Sequence, residues 1–376
     1  MSRILTIVGV SARAAACSAV RAGFSVHAAD LFADADLRHL CDTIQVRDYP
    51  AGLADALTGP HSGGWMYTGA LENYPALVDA WARVRPLRGN SGEVLRQVRN
   101  PQIVADALRC SSLPCPAVAF DAGSLHGDGS WLRKPLSSGG GLHIVHWDPH
   151  ADFGPGSSND YFQQFIEGLA CSAVYVAARG EAVLLGITRQ LIGVAWTGAP
   201  HFQYCGSIGP LAAQPDVARQ FAEIGSALAR QFNLVGLFGV DAVVNSQGVW
   251  PVEVNPRYTA SVELLEWAYG IHAVEMHVSA CESGNLPTPC VQASQCQCGK
   301  AILFASAAFV VTANLGSSIR QAASAAWPAV ADIPVPGTTI EAGLPIVTVL
   351  AEAADEQAVF DTLRAQSARL RSILAE

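Results

Sequence analysis

Hydrophobic positions along this chain come in short runs separated by polar turns, and the length and period of each run predict its element. "ILTIVGV" (4–10) is a short buried-strand run, and "SARAAACSAVRAG" (11–23) is an Ala-rich helix opened by Ser11 and closed by Gly23. "FSVHAAD" (24–30) is a second strand ending in Asp30. Strand, helix and strand at this spacing predict a parallel βαβ unit. No G-x-G-x-x-G fingerprint occupies the first turn, so no dinucleotide site is inferred there. "WMYTGALEN" (65–73) reads as a later strand of the same sheet, ending in a polar turn.

From about residue 96 the pattern changes. "WLRKPLSSGGGLHIVHW" (131–147) is strand, glycine-rich loop, strand, and "DYFQQFIEGLACSAVYVAA" (160–178) is strand, turn, strand. "DVARQFAEIGSALARQFNL" (216–234) has apolar residues at helical spacing. Two strands around a turn follow in "VGLFGVDAVVNSQGVWPVEVN" (235–255). Residues 283–298 are rich in Ser, Pro, Cys and Gln and read as a linker or exposed loop. The chain ends in a helical pattern, "EQAVFDTLRAQSARLRSIL" (356–374), and shows no internal repeat.

Composition narrows the function classes. The 376 residues are 50% hydrophobic and 15% charged, enough for two or three domains with ample core. A formal net charge of -9 without a long basic run argues against a nucleic-acid partner. The longest apolar run, "AILFASAAFVVTA" (301–313), falls short of the roughly 20 residues a bilayer span needs, so no membrane partner is expected. The ten cysteines are irregularly spaced and read as reduced, mostly buried thiols of a cytoplasmic protein. The opening "MSRILTIVGVSARAAACSAV" imitates a signal peptide, but Arg13 breaks its apolar run early, and it continues as an ordinary strand and helix.

The chemistry concentrates in two places. If Ser246, Gln247 and Gly248 form a three-residue loop, residues equidistant from Gln247 face each other, and Asp241 meets Glu253. The side-chain period of two then puts Asp241, Glu253, Asn255 and Arg257 on one face. Opposed carboxylates repel. A divalent cation offsets that repulsion, and carboxylate and amide oxygens suit a hard ion. A hairpin face whose acids point into water is the competing reading, and the amide and guanidinium tip the balance towards a site. The second place is "RKPLSSGGG". Gly139, Gly140 and Gly141 permit close backbone approach to a phosphate, Ser137 and Ser138 add donors, and Lys134 adds a point charge. The order is the reverse of a P-loop, and a flexible hairpin tip would look the same.

Together these pieces resemble the ATP-grasp superfamily over roughly residues 96–270. "LRKPLSSGGG" is similar to its Lys-Pro strand and phosphate-covering loop, "FQQFIEG" (162–168) to its hinge, and "GVDAVV" with "VEVNPR" to its metal-binding hairpin. The ending "ADIPVPGTTIEAGLPIVTVLAEA" (331–353) resembles the C-terminal segment of biotin carboxylase-like members. More narrowly, "LLGITRQLIG", "YCGSIGP" and "EVNPRYTASVELLE" resemble carboligase-type members associated with pterin or furan one-carbon carriers. The resemblance implies an α/β fold, α+β in the ATP-grasp part. It implies an N-terminal parallel pre-domain (1–95), a two-subdomain ATP-grasp module (96–282) and a small C-terminal segment (283–376).

It also implies roles. Asp241, Glu253 and Asn255 would bind Mg²⁺, with Mn²⁺ as an alternative, bridging the phosphates of ATP. Lys134, with Ser138 and Gly139 to Gly141, would contact those phosphates. The backbone around Gln164, Phe165 and Ile166 would meet adenine, and Arg257 would hold a substrate carboxylate or its acylphosphate. The implied reaction is a small-molecule carboxylate activated by ATP and condensed with an amine. An ATP-dependent carboxylase and a non-catalytic nucleotide-binding protein are the alternatives. A homodimer would be unsurprising.

Two departures stand out. Many members carry an acid just after the hinge for the ribose, whereas this chain has Ala170, leaving Glu167 as substitute. Many carry an earlier lysine, whereas this chain offers Arg99 or Arg109. Glu263 and Glu266 follow the hairpin on an expected helix, where a solvated or capping role is expected ahead of a catalytic base. His272, His277, Cys281, Cys290, Cys296 and Cys298 invite a zinc reading, but they form no tight C-x-x-C pair. His143 and His146 are expected to be ordinary strand-surface residues.

Overall fold

The computed structural model describes residues 3–59, 63–123, 125–151, 159–288, 296–313 and 327–374. The amino-terminal βαβ pattern becomes β1 (Arg3–Gly9), α1 (Arg13–Arg21) and β2 (Phe24–Asp30), followed by α2 (Ala35–Leu40), β3 (Asp42–Gln45) and β4 (Gly64–Tyr67). The four strands form a parallel sheet in the order β3-β2-β1-β4. Ser11 does not open α1. The Ala12 N–H donates to the buried Asp30 carboxylate at 2.5 Å, and the second Asp30 oxygen accepts from Phe32 and Ala33 N–H at 2.7 Å. A carboxylate at the end of β2 thus supplies the cap that the local sequence attributes to a serine. The strand expected over 65–73 stops at Tyr67, because Ala70 turns left-handed (φ 75°) and Leu71–Asn73 forms a 3₁₀ turn that buries Glu72.

Two capped helices lead onward. Ser91 accepts from Val94 N–H to start α3 (Gly92–Val98), and Asn100 accepts from Gln102 and Ile103 N–H to start α4 (Pro101–Cys110). Arg99 is pinned at their junction. Beyond them β5 (Val118–Ala119), β6 (Trp131–Pro135), β7 (Val145–His146) and β8 (Asp160–Gln164) make a small antiparallel sheet in the order β5-β8-β6-β7.

The large sheet is built from β9 (Leu169–Ala178), β10 (Glu181–Ile192) and β11 (Tyr204–Gly209), then β12 (Gly236–Asn245) and β13 (Gly248–Asn255). Helix α5 (Pro215–Phe232) covers one face. Pro215 sits in its first turn, Arg230 in its last, and Asn233 ends it at φ 49°. Phe221, Ile224, Leu228 and Phe232 recur at helical spacing and are buried against β9 and β12, where Tyr175 stacks on Phe238 at 4.7 Å. The other face takes α6 (Ala260–Tyr269) and α7 (Ala273–Ser283).

The carboxy-terminal strands β14 (Gln297–Phe304), β16 (Val330–Ala331) and β18 (Pro345–Ala353) extend this same sheet, in the order β13-β12-β9-β10-β11-β14-β18-β16. Strands β15 (Phe309–Val310) and β17 (Thr339–Ile340) pair separately, and α8 (Glu356–Leu374) packs on β14 and β18. The residues from 296 on are therefore continuous with the preceding sheet through β11 and β14. Among the described residues no helix is long and apolar enough to cross a membrane.

Glu263 and Glu266, expected to be solvated or capping, are both buried. Glu263 pairs with Arg13 of α1 and with Lys300 at 3.1 Å. Glu266 accepts from Ser18 Oγ, from Arg21 at 2.9 Å and from Ala273 N–H at 2.7 Å, the last of which opens α7. Capping is thus half of the Glu266 role. The other half is to bind the parallel sheet's first helix to the large sheet.

Candidate functional site

The hairpin β12–β13 brings Asp241 opposite Glu253 by a route different from the expected one. Asn245 pairs with Gly248, so the loop is the two residues Ser246 and Gln247. A bulge between Asp241 and Ala242 leaves Val252 unpaired and shifts the register by one, which restores Asp241 to Glu253. The bulge has a second consequence. The Val252 carbonyl accepts from Gln163 Nε2 at 3.2 Å, and Gln163 Oε1 accepts from Lys134 Nζ at 3.0 Å. The small sheet is thereby tied to the hairpin through the Gln163 amide, which Lys134 braces from the neighbouring strand.

Asp241, Glu253, Asn255 and Arg257 face one cleft of about 430 Å³ between the small and large sheets, and Lys134 faces it from β6. Asn255 Nδ2 donates to Asp241 at 3.1 Å, while its Oδ1 accepts from Arg257 at 3.2 Å. Arg257 Nε donates to Glu72 at 2.7 Å, and the other Glu72 oxygen is buried without a hydrogen-bond partner. Glu253 accepts from Arg99 at 2.5 Å, and Arg99 also donates to the Ser138 carbonyl at 2.9 Å. Of the two arginines named in the sequence, Arg99 therefore belongs to the site. Arg109 pairs with Asp106 on the exposed side of α4.

The two carboxylates are driven apart electrostatically. Burial, and then the facing Glu253, push Asp241 up to about 6, against a hydrogen bond from Ser172, the charge of Arg257 and a hydrogen bond from Gln190. Burial works the same way on Glu253, but Arg99 and Lys134 outweigh it and hold that carboxyl below its ordinary value. Among the described residues no cationic side chain lies within ion-pair distance of Asp241. One member of the pair thus has a cation in direct contact, and the other feels only the more distant Arg257. The donor set is two carboxylates and an amide, hard oxygen ligands that fit a divalent cation of the Mg²⁺ kind.

The glycine loop is held as well as bent. Gly141 (φ 76°) lies so close to segment 202–203 that an added Cβ would stand 1.9 Å from the Phe202 carbonyl oxygen. The Gly140 carbonyl accepts from Tyr204 N–H at 2.9 Å, and Ser138 Oγ donates to the Leu142 carbonyl at 2.9 Å. Gly139 has open space around it. The hinge lines the opposite wall. Gln164 and Phe165 commit their N–H groups to the Ala117 and Ser130 carbonyls, so Ile166 and Glu167 supply the next backbone groups facing the cleft. Asn245 donates to the Glu167 carbonyl at 3.0 Å, while the Glu167 side chain is exposed. Ala170 also lines the cleft. His143 and His146 are exposed, as expected, and the His146 ring on β7 also packs edge-on against Phe165 at 4.9 Å and Phe202 at 5.2 Å.

The candidate zinc ligands fall into separate places. His277 Nδ1 accepts from Leu237 N–H at 2.8 Å, and its Nε2 donates to the Arg88 carbonyl at 2.9 Å, so both nitrogens are committed. Cys281 lies 4.0 Å from His277, and Cys296 and Cys298 lie 4.0 Å from each other in a different group with Glu352. His272 stands at the start of α7, and Cys290 lies outside the described residues.

Sequence reasoning missed Glu72 and Gln163. Glu72 lies in a short polar turn far from the hairpin, with nothing local to mark it. Gln163 could have been found from its place inside the hinge segment, beside Gln164, as a buried amide of β8.

Comparison with known proteins bears on the domain and the fold. Residues 100–261 match the family described as ATP-grasp domain. The carbamoyl phosphate synthase large chain of Thermoplasma volcanium is 31% identical over 78 residues, and that of Myxococcus xanthus 29% over 96. Those matches cover 21% and 26% of this chain but only 8% and 9% of the relatives' own lengths. Biotin carboxylase from Campylobacter jejuni superposes with a TM-score of 0.73 at 12% identity, covering 96% of this chain and 90% of that one. L-amino acid ligase from Bacillus licheniformis gives 0.70 at 14% identity, covering 97% and 96%. N5-carboxyaminoimidazole ribonucleotide synthetase from Thermotoga maritima gives 0.67 at 14% identity, covering 98% of both chains. At such identities the structural likeness speaks for the fold. With the family match over the hairpin, the hinge and the glycine loop, residues 100–261 match an ATP-grasp domain, and the chain as a whole has the fold of the ATP-grasp proteins it superposes on.

Proposed function

We propose that this protein is an ATP-dependent ligase that activates a small-molecule carboxylate as an acylphosphate and condenses it with an amine. The observation that carries this reading is the convergence of Lys134, Asp241, Glu253, Asn255 and Arg257 on one cleft beneath a tethered glycine loop. Phosphoryl transfer asks a protein for positioning and charge neutralisation, and these side chains offer both.

In this reading adenine lies along the hinge against Ile166 and Glu167, and the exposed Glu167 carboxylate takes the ribose in place of the acid replaced by Ala170. Lys134 and the backbone of Ser138 to Gly141 hold the phosphates. Asp241, Glu253 and Asn255 hold Mg²⁺, or Mn²⁺, which when bound neutralises phosphate charge. Arg99 and Glu253 couple that platform to the glycine loop through the Ser138 carbonyl. Arg257, oriented by Glu72, holds the substrate carboxylate. One carboxylate oxygen attacks the γ-phosphorus as the bond to ADP breaks. The amine nitrogen then attacks the acyl carbon, phosphate leaves, and the amine's proton passes to solvent. No protein nucleophile is needed.

The test is coupled ADP release with Mg-ATP, using Glu253→Gln as blank. Carboxylates, amino acids included, are paired with aliphatic and aromatic amines and pterins, and bicarbonate is tried separately. ADP release that needs both partners, with a product of the condensed mass, is the expected result. Release driven by bicarbonate alone would replace this reading with a carboxylase. ATP binding without release across the panel would replace it with a nucleotide-binding regulator.

A further inference from the structure

A second cavity of about 310 Å³ lies between the C-terminal ends of β1 and β2 and the strands β14, β17 and β18. Phe32, Ile302, Ile340 and Val347 make its body apolar, and Asp34 and Asp332 stand together in its wall. Asp34 is only 8% exposed. It occupies the N-cap position of α2, yet its carboxylate caps nothing, and no hydrogen bond or ion pair reaches it among the described residues.

The acids around it are already committed. Asp30 accepts from three backbone N–H groups, Asp36 accepts from Asp332 and Ile333 N–H, and Asp332 accepts from Thr348 Oγ1 and Arg13. Arg13 is shared among Asp332, Asp36 and Glu263, and Lys300 is held by Glu263. Five carboxylates (Asp30, Asp34, Asp36, Asp332 and Glu263) thus crowd against two cations. Ionising a desolvated carboxyl without a countercharge is costly, and the apolar cavity opening on Asp34 has room for a cation on an apolar body that would meet that charge.

We propose that this cavity binds a primary amine with an aromatic or aliphatic body, its ammonium seated between Asp34 and Asp332. The proposal stands apart from the ligase reading, because it concerns a different cavity and does not need ATP turnover. Without a ligand, burial and then Asp332, Asp36 and Asp30 push Asp34 up to about 9, with Arg13 alone opposing them. The carboxyl therefore carries a proton at neutral pH. An arriving ammonium takes that proton's place, and the proton passes to the buffer.

The probe is 2-phenylethylamine, with 2-phenylethanol as neutral isostere, followed by titration calorimetry on the full chain. The amine is expected to bind at least tenfold tighter than the alcohol, to release about one proton, and to tighten as pH rises from 7 to 9. Asp34→Asn, which keeps the shape and removes the charge, is expected to cost at least tenfold in amine affinity. Leu344→Trp, at the exposed rim, is expected to block the cavity while leaving the fold intact. Binding of a fluorescent ATP analogue at the other cleft should be unchanged in both variants. Equal binding of amine and alcohol, unchanged affinity in Asp34→Asn, or no amine binding up to 10 mM would each overturn the proposal.

Discussion

Two acidic stretches lie ten residues apart in this chain and have opposite fates. Asp241 and Glu253 face each other in a cleft, with one carboxylate left short of countercharge. Glu263 and Glu266 sit on the next helix, buried and fully partnered by Arg13, Lys300, Ser18 and Arg21. Residue type does not separate the pairs, and the deeper burial of Glu263 and Glu266, against a Glu253 side chain left 29% exposed, comes with more partners. The difference is whether the fold supplies the opposite charge or leaves it to a ligand.

The sharpest way to break that comparison is to remove one acid from each stretch. Glu263→Gln leaves two buried cations short of a partner and is expected to destabilise the fold by about 3–5 kcal/mol, read as a shifted denaturant midpoint. Glu253→Gln is expected to leave that midpoint nearly unchanged while ADP release falls by about 10²–10³-fold. If the losses were exchanged, with Glu253→Gln unfolding the protein and Glu263→Gln silencing it, the assignment of roles would be reversed.

How far each stretch could be read from sequence follows the same division. The platform was legible because strand alternation is local: Asp241, Glu253, Asn255 and Arg257 declare a shared face within seventeen residues. Even a wrong loop length gave the right pair, because the bulge at Val252 compensates for the shorter turn. The ion-paired helix was not legible. Arg13 and Glu263 are 250 positions apart, and nothing in "ASVELLEWAY" says that another sheet's first helix will arrive with arginines. The same limit hid Glu72, which meets Arg257 from 185 positions away. Parallel and antiparallel sheets were readable as patterns, and the contacts between them were not.

His277 offers a graded version of the comparison, since it is a titratable group that the fold satisfies completely. Burial lowers it to about 4, and it stays neutral between Leu237 N–H and the Arg88 carbonyl. The unfolded chain takes up that proton below about 6.5. Stability from this group is therefore complete above pH 6.5 and is lost as pH falls towards 4, by about 3 kcal/mol in all. His277→Asn keeps an acceptor for Leu237 N–H without titrating. It is expected to flatten the pH dependence of the denaturant midpoint in that window, though its stability is lower throughout. An unchanged pH slope in the variant would show that His277 is not the buried neutral group described.

The smallest effect concerns one of the two places where the chain departs from the pattern it resembles. Ala170 lines the cleft just after the hinge, and the exposed Glu167 stands nearby. If Glu167 does that work, Glu167→Gln should weaken ATP binding by about three- to tenfold, the size of one charge-assisted hydrogen bond. Ala170→Glu in that background should then recover part of the loss, since the new carboxylate would enter the same cleft from β9. Equilibrium binding of a fluorescent ATP analogue measures both. Loss without recovery would assign the ribose to Glu167 alone. No loss at all would mean that ATP is held here without a ribose acid, and the platform of Asp241, Glu253 and Lys134 would carry the nucleotide by its phosphates.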